Sequence, residues 1–262
     1  MDTDAVLTML RDVAAEVVTP RFRALADSEV MEKNPGDLVT VADHEAEVIL
    51  TRRLREAYPD AVIVGEEATS ADPTLLQGLS GVDHWFTVDP VDGTKNFVHG
   101  SPDHAVMVGE VRGGEPVRGW IWQPAHERAF VAERGAGAYA DGRRIPVRTV
   151  EADGPLRGVT SRRRLVGTAL PGLPPLELTW VCCGVDYPQL ATGGADYVVY
   201  SGTMPWDHVP GTLLLSEVGG VARHLDGTPY RPHQTTGGLV ASATADVADR
   251  VGPLLQEPAR VC

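Results

Sequence analysis

The densest chemistry in this chain lies in Trp85-Phe86-Thr87-Val88-Asp89-Pro90-Val91-Asp92-Gly93-Thr94-Lys95-Asn96-Phe97. An apolar run leads straight into two carboxylates three positions apart, bracketed by Pro and Gly. Strand ends in α/β architectures are where ligands bind. The turn between the carboxylates can aim both of them, with the Val91 carbonyl, at one point, and hard oxygen ligands of this kind suit Mg2+. Gly93 and Thr94 can offer backbone N–H groups to a phosphate where a helix or turn begins. A bare Asp-x-x-Asp-Gly also reads as an Asx-turn loop; the strand before it and the Thr-Lys after it argue for the site.

Three further acidic points stand apart in sequence. Gly65-Glu66-Glu67 closes an apolar run, and reads either as part of a site or as a solvated charge pair. In Pro205-Trp206-Asp207-His208 the carboxylate sits at the start of a helix, where capping and metal binding can coexist. Asp43 stands before a helical stretch as an N-cap. His208 reads as structural, because imidazole is a poor partner for Mg2+. Cys183, with no His near it in sequence, reads as a small core or pocket-wall residue rather than a nucleophile. Trp206 and Phe97 read as core.

Composition narrows the class. The 262 residues are 43% hydrophobic, enough for a large core, and 36 acidic side chains against 23 basic ones leave a formal charge of −13. That balance argues against a nucleic-acid grip through a basic face. No apolar run reaches the length of a membrane span, and the start Met1-Asp2-Thr3-Asp4 is unlike a secretory signal, so a cytoplasmic protein is expected. Cys182, Cys183 and Cys262 have no zinc spacing and read as reduced thiols. Only two basic residues are Lys, at 33 and 95. A chain that otherwise uses Arg either keeps Lys where a compact ammonium is wanted or has these two by chance.

These residues need elements to position them. Helical spacing runs over 3–30 with a kink or break at Pro20, a turn covers 33–37, and 38–41 is extended before a second helix carrying Ala46, Ile49, Leu50, Leu54 and Ala57. A buried strand is expected at 61–65, a short helix at 72–79, and an antiparallel meander at 85–88, 104–110, 117–122, 128–133 and 138–139. The texture then changes. Strands at 156–160, 178–183 and 197–200 alternate with helices near 161–170, 184–192 and 208–218. A strand pair at 221–225 and 238–241 precedes a last helix to about 255. The pattern divides into an α+β half, residues 1–152, and an α/β half, residues 153–262, of one layered body.

Taken together the chain resembles the inositol monophosphatase family of Mg2+-dependent, Li+-sensitive sugar-phosphate phosphatases, over nearly its whole length. The run 85–97 matches the family's first signature. Pro205-Trp206-Asp207-His208-Val209-Pro210-Gly211-Thr212 through Glu217-Val218-Gly219-Gly220 matches the second. Gly65-Glu66-Glu67, Asp37-Leu38-Val39-Thr40-Val41-Ala42-Asp43 and Ala191-Thr192-Gly193-Gly194-Ala195-Asp196 fall where the family has its other segments. The resemblance implies a five-layered αβαβα sandwich of α/β class, with homodimers common. It implies two or three Mg2+ ions: Glu66, Asp89 and the Val91 carbonyl on the first, Asp89, Asp92 and Asp207 on the second, and Glu66 on a weaker third. Asp43 and Thr94, with Glu66 assisting, would orient and deprotonate the attacking water, while Gly93 and Thr94 N–H groups hold phosphate oxygens; Lys33 and Lys95 would fall in site-lining segments, suited to a phosphate or water network. The expected activity is hydrolysis of a small polyol or sugar phosphate, inositol-1-phosphate-like, by direct attack of metal-activated water without a phosphoenzyme.

Three departures bear on substrate. Seven residues before Asp207, where inositol monophosphatases place a Glu on inositol hydroxyls, this chain has Tyr200. Val181-Cys182-Cys183-Gly184 replaces the usual Gly-Thr/Ser-Ala-Ala turn. The Asp-Gly-Thr-Lys variant also occurs in the histidinol-phosphatase branch and among nucleotide 3′-phosphatases. Lys95, Cys183 and Tyr200 therefore join Gly93 and Thr94 as substrate-pocket candidates, with Arg162-Arg163-Arg164 either meeting a second anionic group or lying solvated. An aspartyl-phosphate mechanism of haloacid-dehalogenase type fits poorly, since its carboxylates are two apart. Loss of a ligand residue would favour a non-catalytic phosphate-binding homologue, and every ligand position here is filled.

Overall fold

The N-terminal periodicity becomes α1 (Thr3–Val13), which widens into a π-helical stretch, Ala14–Val18, and ends in a 3-10 turn, Thr19–Arg21. Pro20 lacks the N–H that would continue the α-helical ladder, so the helix expected over 3–30 stops there. A hairpin of β1 (Val30–Asn34) and β2 (Asp37–Thr40) leads into α2 (Val41–Ala57). The computed structural model describes residues 1–34, 37–151 and 154–256. The centre of the 33–37 turn, the 152/153 division and Cys262 lie outside the described residues.

The larger sheet takes its strands in chain order: β3 (Val62–Gly65), β4 (His84–Asp92), β5 (Ala105–Arg112), β6 (Glu115–Gln123), β7 (Arg128–Glu133), β8 (Gly137–Ala140) and β9 (Arg143–Arg144). Short helices α3 (Glu66–Ala71) and α4 (Thr94–Val98) follow β3 and β4. β3 runs parallel to β4, and all later pairs are antiparallel. Side chains alternate across the sheet. Val106, Val108 and Trp120 pack with Val6, Leu10, Leu50 and Leu54 of α1 and α2. Met107, Ile121 and Phe130, cross-strand neighbours, pack on the other face with residues of α5 (Cys183–Thr192) and α6 (Pro205–Ser216).

The same two helices are covered on their far side by a second sheet, ordered β11-β10-β12-β14-β13. Its strands are β10 (Gly158–Thr160), β11 (Glu177–Leu178), β12 (Tyr197–Tyr200), β13 (Val221–His224) and β14 (Leu239–Ser242). Val198 and Ala241 face α5 and α6, whereas Val199 and Val240 face α7 (Ala245–Gln256). The layers are therefore helices, sheet, helices, sheet, helix, as the αβαβα expectation requires.

Two expectations fail in the stretch between β10 and α5. Residues 161–170 form no helix, only a 3-10 turn at Arg163–Leu165, because Gly167 is left-handed (φ 81°) and Pro171-Gly172 follows. Residues 178–183 are strand only at Leu178: Val181 takes a positive φ of 58°, and Cys183 already begins α5. Leu165, Leu170 and Leu176 still reach the core under α7, so the segment is anchored by burial rather than by regular structure.

The seating of α6 on the larger sheet depends on missing side chains. Gly109 and Gly119 are cross-strand partners on β5 and β6. A Cβ on Gly109 would sit 2.5 Å from Val209 Cγ1, and one on Gly119 would sit 2.8 Å from the Pro210 Cα. Glu217, just past α6, accepts the Gly135 and Gly137 N–H groups, each at 2.9 Å, and ties the helix end to the β7–β8 turn.

Candidate active site

The site is assembled where β3, β4 and the start of α6 converge. In a regular strand, residues three apart point to opposite faces. Between Asp89 and Asp92, however, three steps on β4 oppose two on β5, from Met107 to Ala105. This one-residue bulge reverses the parity and brings both carboxylates to one side. Pro90 suits an irregular position, having no N–H to give a ladder. β3 pairs in parallel with β4 so that Gly65 is opposite Val88, which delivers Glu66 beside Asp89. α6 supplies Asp207. Carboxylate oxygens of Asp89, Asp92 and Asp207 all lie within 4.8 Å of one another.

That convergence is electrostatically costly. Burial, and then the charges of Glu66, Asp92 and Asp207, push the Asp89 carboxyl well above the usual range. Asp207 is raised by burial and then by Asp92 and Glu66. Burial also raises Asp92, against hydrogen bonds from the Cys182 thiol, at 3.0 Å, and the Gly184 N–H. Buried Asp89 Oδ1 has no hydrogen-bond partner. Buried acceptors are normally satisfied, and three like charges this close call for a cation. The hard oxygen donors fit Mg2+ and exclude a thiolate-type zinc site.

Beside the cluster lies a hydrogen-bonded pair. Thr94 Oγ1 is 3.2 Å from Asp43 Oδ1 and 3.0 Å from the Val91 carbonyl oxygen, and can give its one proton to either. Asp43 Oδ2 accepts the Thr40 N–H at 2.8 Å and the Thr40 hydroxyl at 2.5 Å. Asp43 is therefore not the N-cap expected from sequence. Thr40 is, with Asp43 as the third residue of a capping box. Burial raises Asp43 to about 6, with the Thr40 hydrogen bonds opposing. Burial likewise raises Glu66 to about 7, against the pull of Lys33. Lys33 Nζ is 2.9 Å from both Glu66 Oε1 and Glu67 Oε1. Burial weakens its hold on the proton, yet Glu66 and Glu67 outweigh that and raise its pKa.

Gly93 has φ 81°, and a Cβ there would meet the Asp103 carbonyl at 2.9 Å and Cys182 Cβ at 3.0 Å. Only glycine makes this left-handed turn into α4, where Gly93 is the N-cap and Thr94 the first residue. Lys95 is exposed on α4. Cys183 Sγ comes within 4.8 Å of Asp207 and His208. His208 is not free to join a metal set, because Nε2 pairs with the Gly202 carbonyl at 3.1 Å and Nδ1 with the Tyr187 hydroxyl at 2.9 Å. Burial, then Asp207, raises the Cys183 thiol well above its usual value, which disfavours the nucleophilic thiolate. Tyr200 is buried and stacked on Tyr187, ring centroids 5.5 Å apart. Arg162 Nε donates to the Tyr200 carbonyl at 3.2 Å, from a 3-10 turn rather than a helix end. Met204, not Asp207, occupies the N-cap of α6.

Sequence reasoning passed over three residues that shape this site. Thr40 grips Asp43, and the spacing Thr-x-x-Asp signals it. Asn96 Nδ2 donates to the Asp103 and Trp180 carbonyls, each at 2.8 Å, pinning the motif loop to the segment before α5; nothing local announces it. Cys182 touches Asp92, a contact between residues ninety positions apart.

An αβαβα sandwich with a carboxylate cluster at a bulged strand end defines a class of metal-dependent phosphatases. The inositol monophosphatase family model matches residues 2–257, and the chain belongs to that family. It is 31% identical over 225 residues, 82% of each chain, to the fructose-1,6-bisphosphatase/inositol-1-monophosphatase of Aquifex aeolicus. It is 30% identical over 237 residues, 82% of each, to the Nus factor SuhB of Pseudomonas aeruginosa. The solved inositol monophosphatase of Thermotoga maritima superposes with a TM-score of 0.79 at 25% identity, over 96% of this chain and 95% of that one. Membership supports a phosphatase acting on phosphoric monoesters of small molecules. Family members are metal-dependent, generally through Mg2+. Among the described residues no helix is long and apolar enough to cross a membrane.

Proposed function

We propose that this chain is a Mg2+-dependent phosphomonoesterase for a small polyol or sugar phosphate, of the inositol 1-phosphate type. The convergence of Asp89, Asp92 and Asp207 within 4.8 Å, with a buried Asp89 oxygen left unpartnered, carries the reading. Glu66, Asp89, the Val91 carbonyl, Asp92 and Asp207 would hold the ions. When bound, these supply positive charge against the phosphate oxygens and lower the pKa of water. Gly93 and Thr94 N–H groups orient the phosphate at the start of α4. The Asp43–Thr94 pair orients a water and takes its proton as the water oxygen attacks phosphorus and the ester P–O bond breaks; the leaving alkoxide takes a proton from solvent and departs as the alcohol. Lys33 favours the ionised form of Glu66 against the cost of burial. Lys95 and Cys183 line the alcohol side, with Tyr200 buried against Tyr187 behind it, and the chain acts as a cytosolic homodimer. The decisive experiment is phosphate release from inositol 1-phosphate, histidinol phosphate, fructose 1,6-bisphosphate and a nucleoside 3′-phosphate, with Mg2+ and with excess EDTA. Activity on inositol 1-phosphate that vanishes with EDTA is expected; activity persisting in EDTA removes the metal mechanism.

A second reading follows from similarity to a protein named as a Nus factor: a regulatory homologue that binds rather than hydrolyses. No turnover of any ester in that screen, with Mg2+ binding intact, would favour it. The complete set of acidic positions supports catalysis instead.

A further inference from the structure

Glu47 has no place in the chemistry described so far, yet it is a 5%-exposed carboxylate between α2 and the metal-site junction. Its Oε2 accepts the Glu67 N–H at 2.7 Å and its Oε1 accepts the Ala68 N–H at 2.8 Å. These are the second and third residues of α3. The N-cap of that helix is Gly65, which has no side chain to satisfy them. We propose that Glu47 is a positioning residue for Glu66, fixing where this carboxylate enters the cation cluster. The proposal rests on the reading of Glu66 as a metal ligand.

Three observations support the assignment. First, a helix start leaves N–H groups that need acceptors, and a carboxylate taking two of them is held in one orientation. The backbone on the C-terminal side of Glu66 is thereby locked to α2. Second, Glu47 lies one helical turn beyond Asp43, so the same rigid helix places the proton acceptor and the Glu66 junction. The link continues through side chains: Glu67, whose N–H Glu47 holds, shares Lys33 with Glu66. Third, the seat is kept open by residue type. A Cβ at position 65 would fall 2.3 Å from Glu47 Cδ and 2.5 Å from each Oε. A buried carboxylate is costly unless well hydrogen-bonded, and the hydrogen bonds that satisfy Glu47 are those that set the direction of α3.

Glu47→Gln keeps the shape but turns one acceptor into an amide NH2 facing an N–H. Gly65→Ala leaves the carboxylate intact and pushes it from its seat. Both are expected to raise the Mg2+ activation constant about tenfold or more, the range seen when groups supporting metal ligands are changed. Calorimetric Mg2+ binding to the substrate-free protein should weaken by a similar factor, with kcat at saturating Mg2+ falling less. Glu47→Asp, keeping an acceptor, should lie between wild type and Glu47→Gln. The double variant should be little worse than either single, because both break one contact. If the variants melt lower by the same amount with and without Mg2+ and bind Mg2+ as wild type does, Glu47 is only a helix cap and the proposal falls. If Glu47→Gln fails to fold, Gly65→Ala and Glu47→Asp decide by the same measurements. Wild type that binds no Mg2+ overturns both this proposal and the metal reading; wild type that binds while every variant binds equally overturns this one alone.

Discussion

At the scale of single residues, the proposed mechanism separates charge holders from a proton acceptor. Asp89, Asp92 and Asp207 crowd one another, whereas Asp43 stands aside, gripped by Thr40 and touching Thr94. Asp43→Asn should fold, because an amide oxygen can still accept the Thr40 N–H, but should lower kcat by roughly 10²–10⁴, the usual worth of a general base. Thr94→Ala should act in the same direction. Steady-state kinetics at saturating Mg2+ checks both, and a loss confined to KM would contradict the assignment. The residues of this cluster were legible in sequence because each carries a carboxylate at a strand or helix end. Asn96 and Glu47 were not legible. Their partners lie on other elements, and a hydrogen bond across twenty residues, as from Glu67 to Glu47, or across eighty-four, as from Asn96 to Trp180, leaves no local periodicity.

Among the elements, α2 has two roles, since its first turn holds Asp43 and its second anchors α3. Thr40→Ala removes the N-cap acceptor, an expected cost of about 1 kcal/mol. It also frees Asp43 Oδ2 from its shortest hydrogen bond. Denaturant unfolding should show the stability loss, and kcat should drop in the same variant although Thr40 touches no substrate. Intact kcat would mean that the Thr94 contact alone orients Asp43. Strand elements between 84 and 140 were readable because alternation is strong and Gly113-Gly114 and Asp141-Gly142 punctuate it. Residues 161–170 misled because Leu165 and Leu170 are apolar and buried while Gly167, and Pro171-Gly172 just beyond, break a helix. Apolar spacing reports burial; it does not by itself report dihedral angles.

For the whole molecule, burial of neutral histidines sets an acid limit. His104 packs between Phe22 and Phe97, at centroid distances of 4.7 and 5.1 Å, and its Nε2 is unpartnered. Burial lowers it to about 4, and His208, also mainly through burial, to about 3. Above pH 6.5 both states of the protein hold these rings neutral and neither contributes. Below it the unfolded chain binds protons that the folded one refuses, so stability is lost as pH falls toward 4. His104→Phe should therefore gain on wild type progressively from pH 6.5 downward, by about 2 kcal/mol near pH 5. Thermal melts from pH 7 to pH 4 test this, and a constant offset would show packing alone at work.

The bare β5–β6 surface under α6 has one more consequence, concerning ionic radius. Because Gly109 and Gly119 let the helix rest on backbone, the distance from Asp207 to Asp89 and Asp92 is set by how low α6 can sit. A single methyl at Gly109 would act as a shim and widen the cage. Mg2+ binds oxygen at about 2.0–2.1 Å and Ca2+ at about 2.3–2.6 Å. Gly109→Ala should thus shift the ratio of Ca2+ to Mg2+ affinity upward: the packing of two glycines, neither of them among the proposed ligands, would be what tunes the site to the smaller ion.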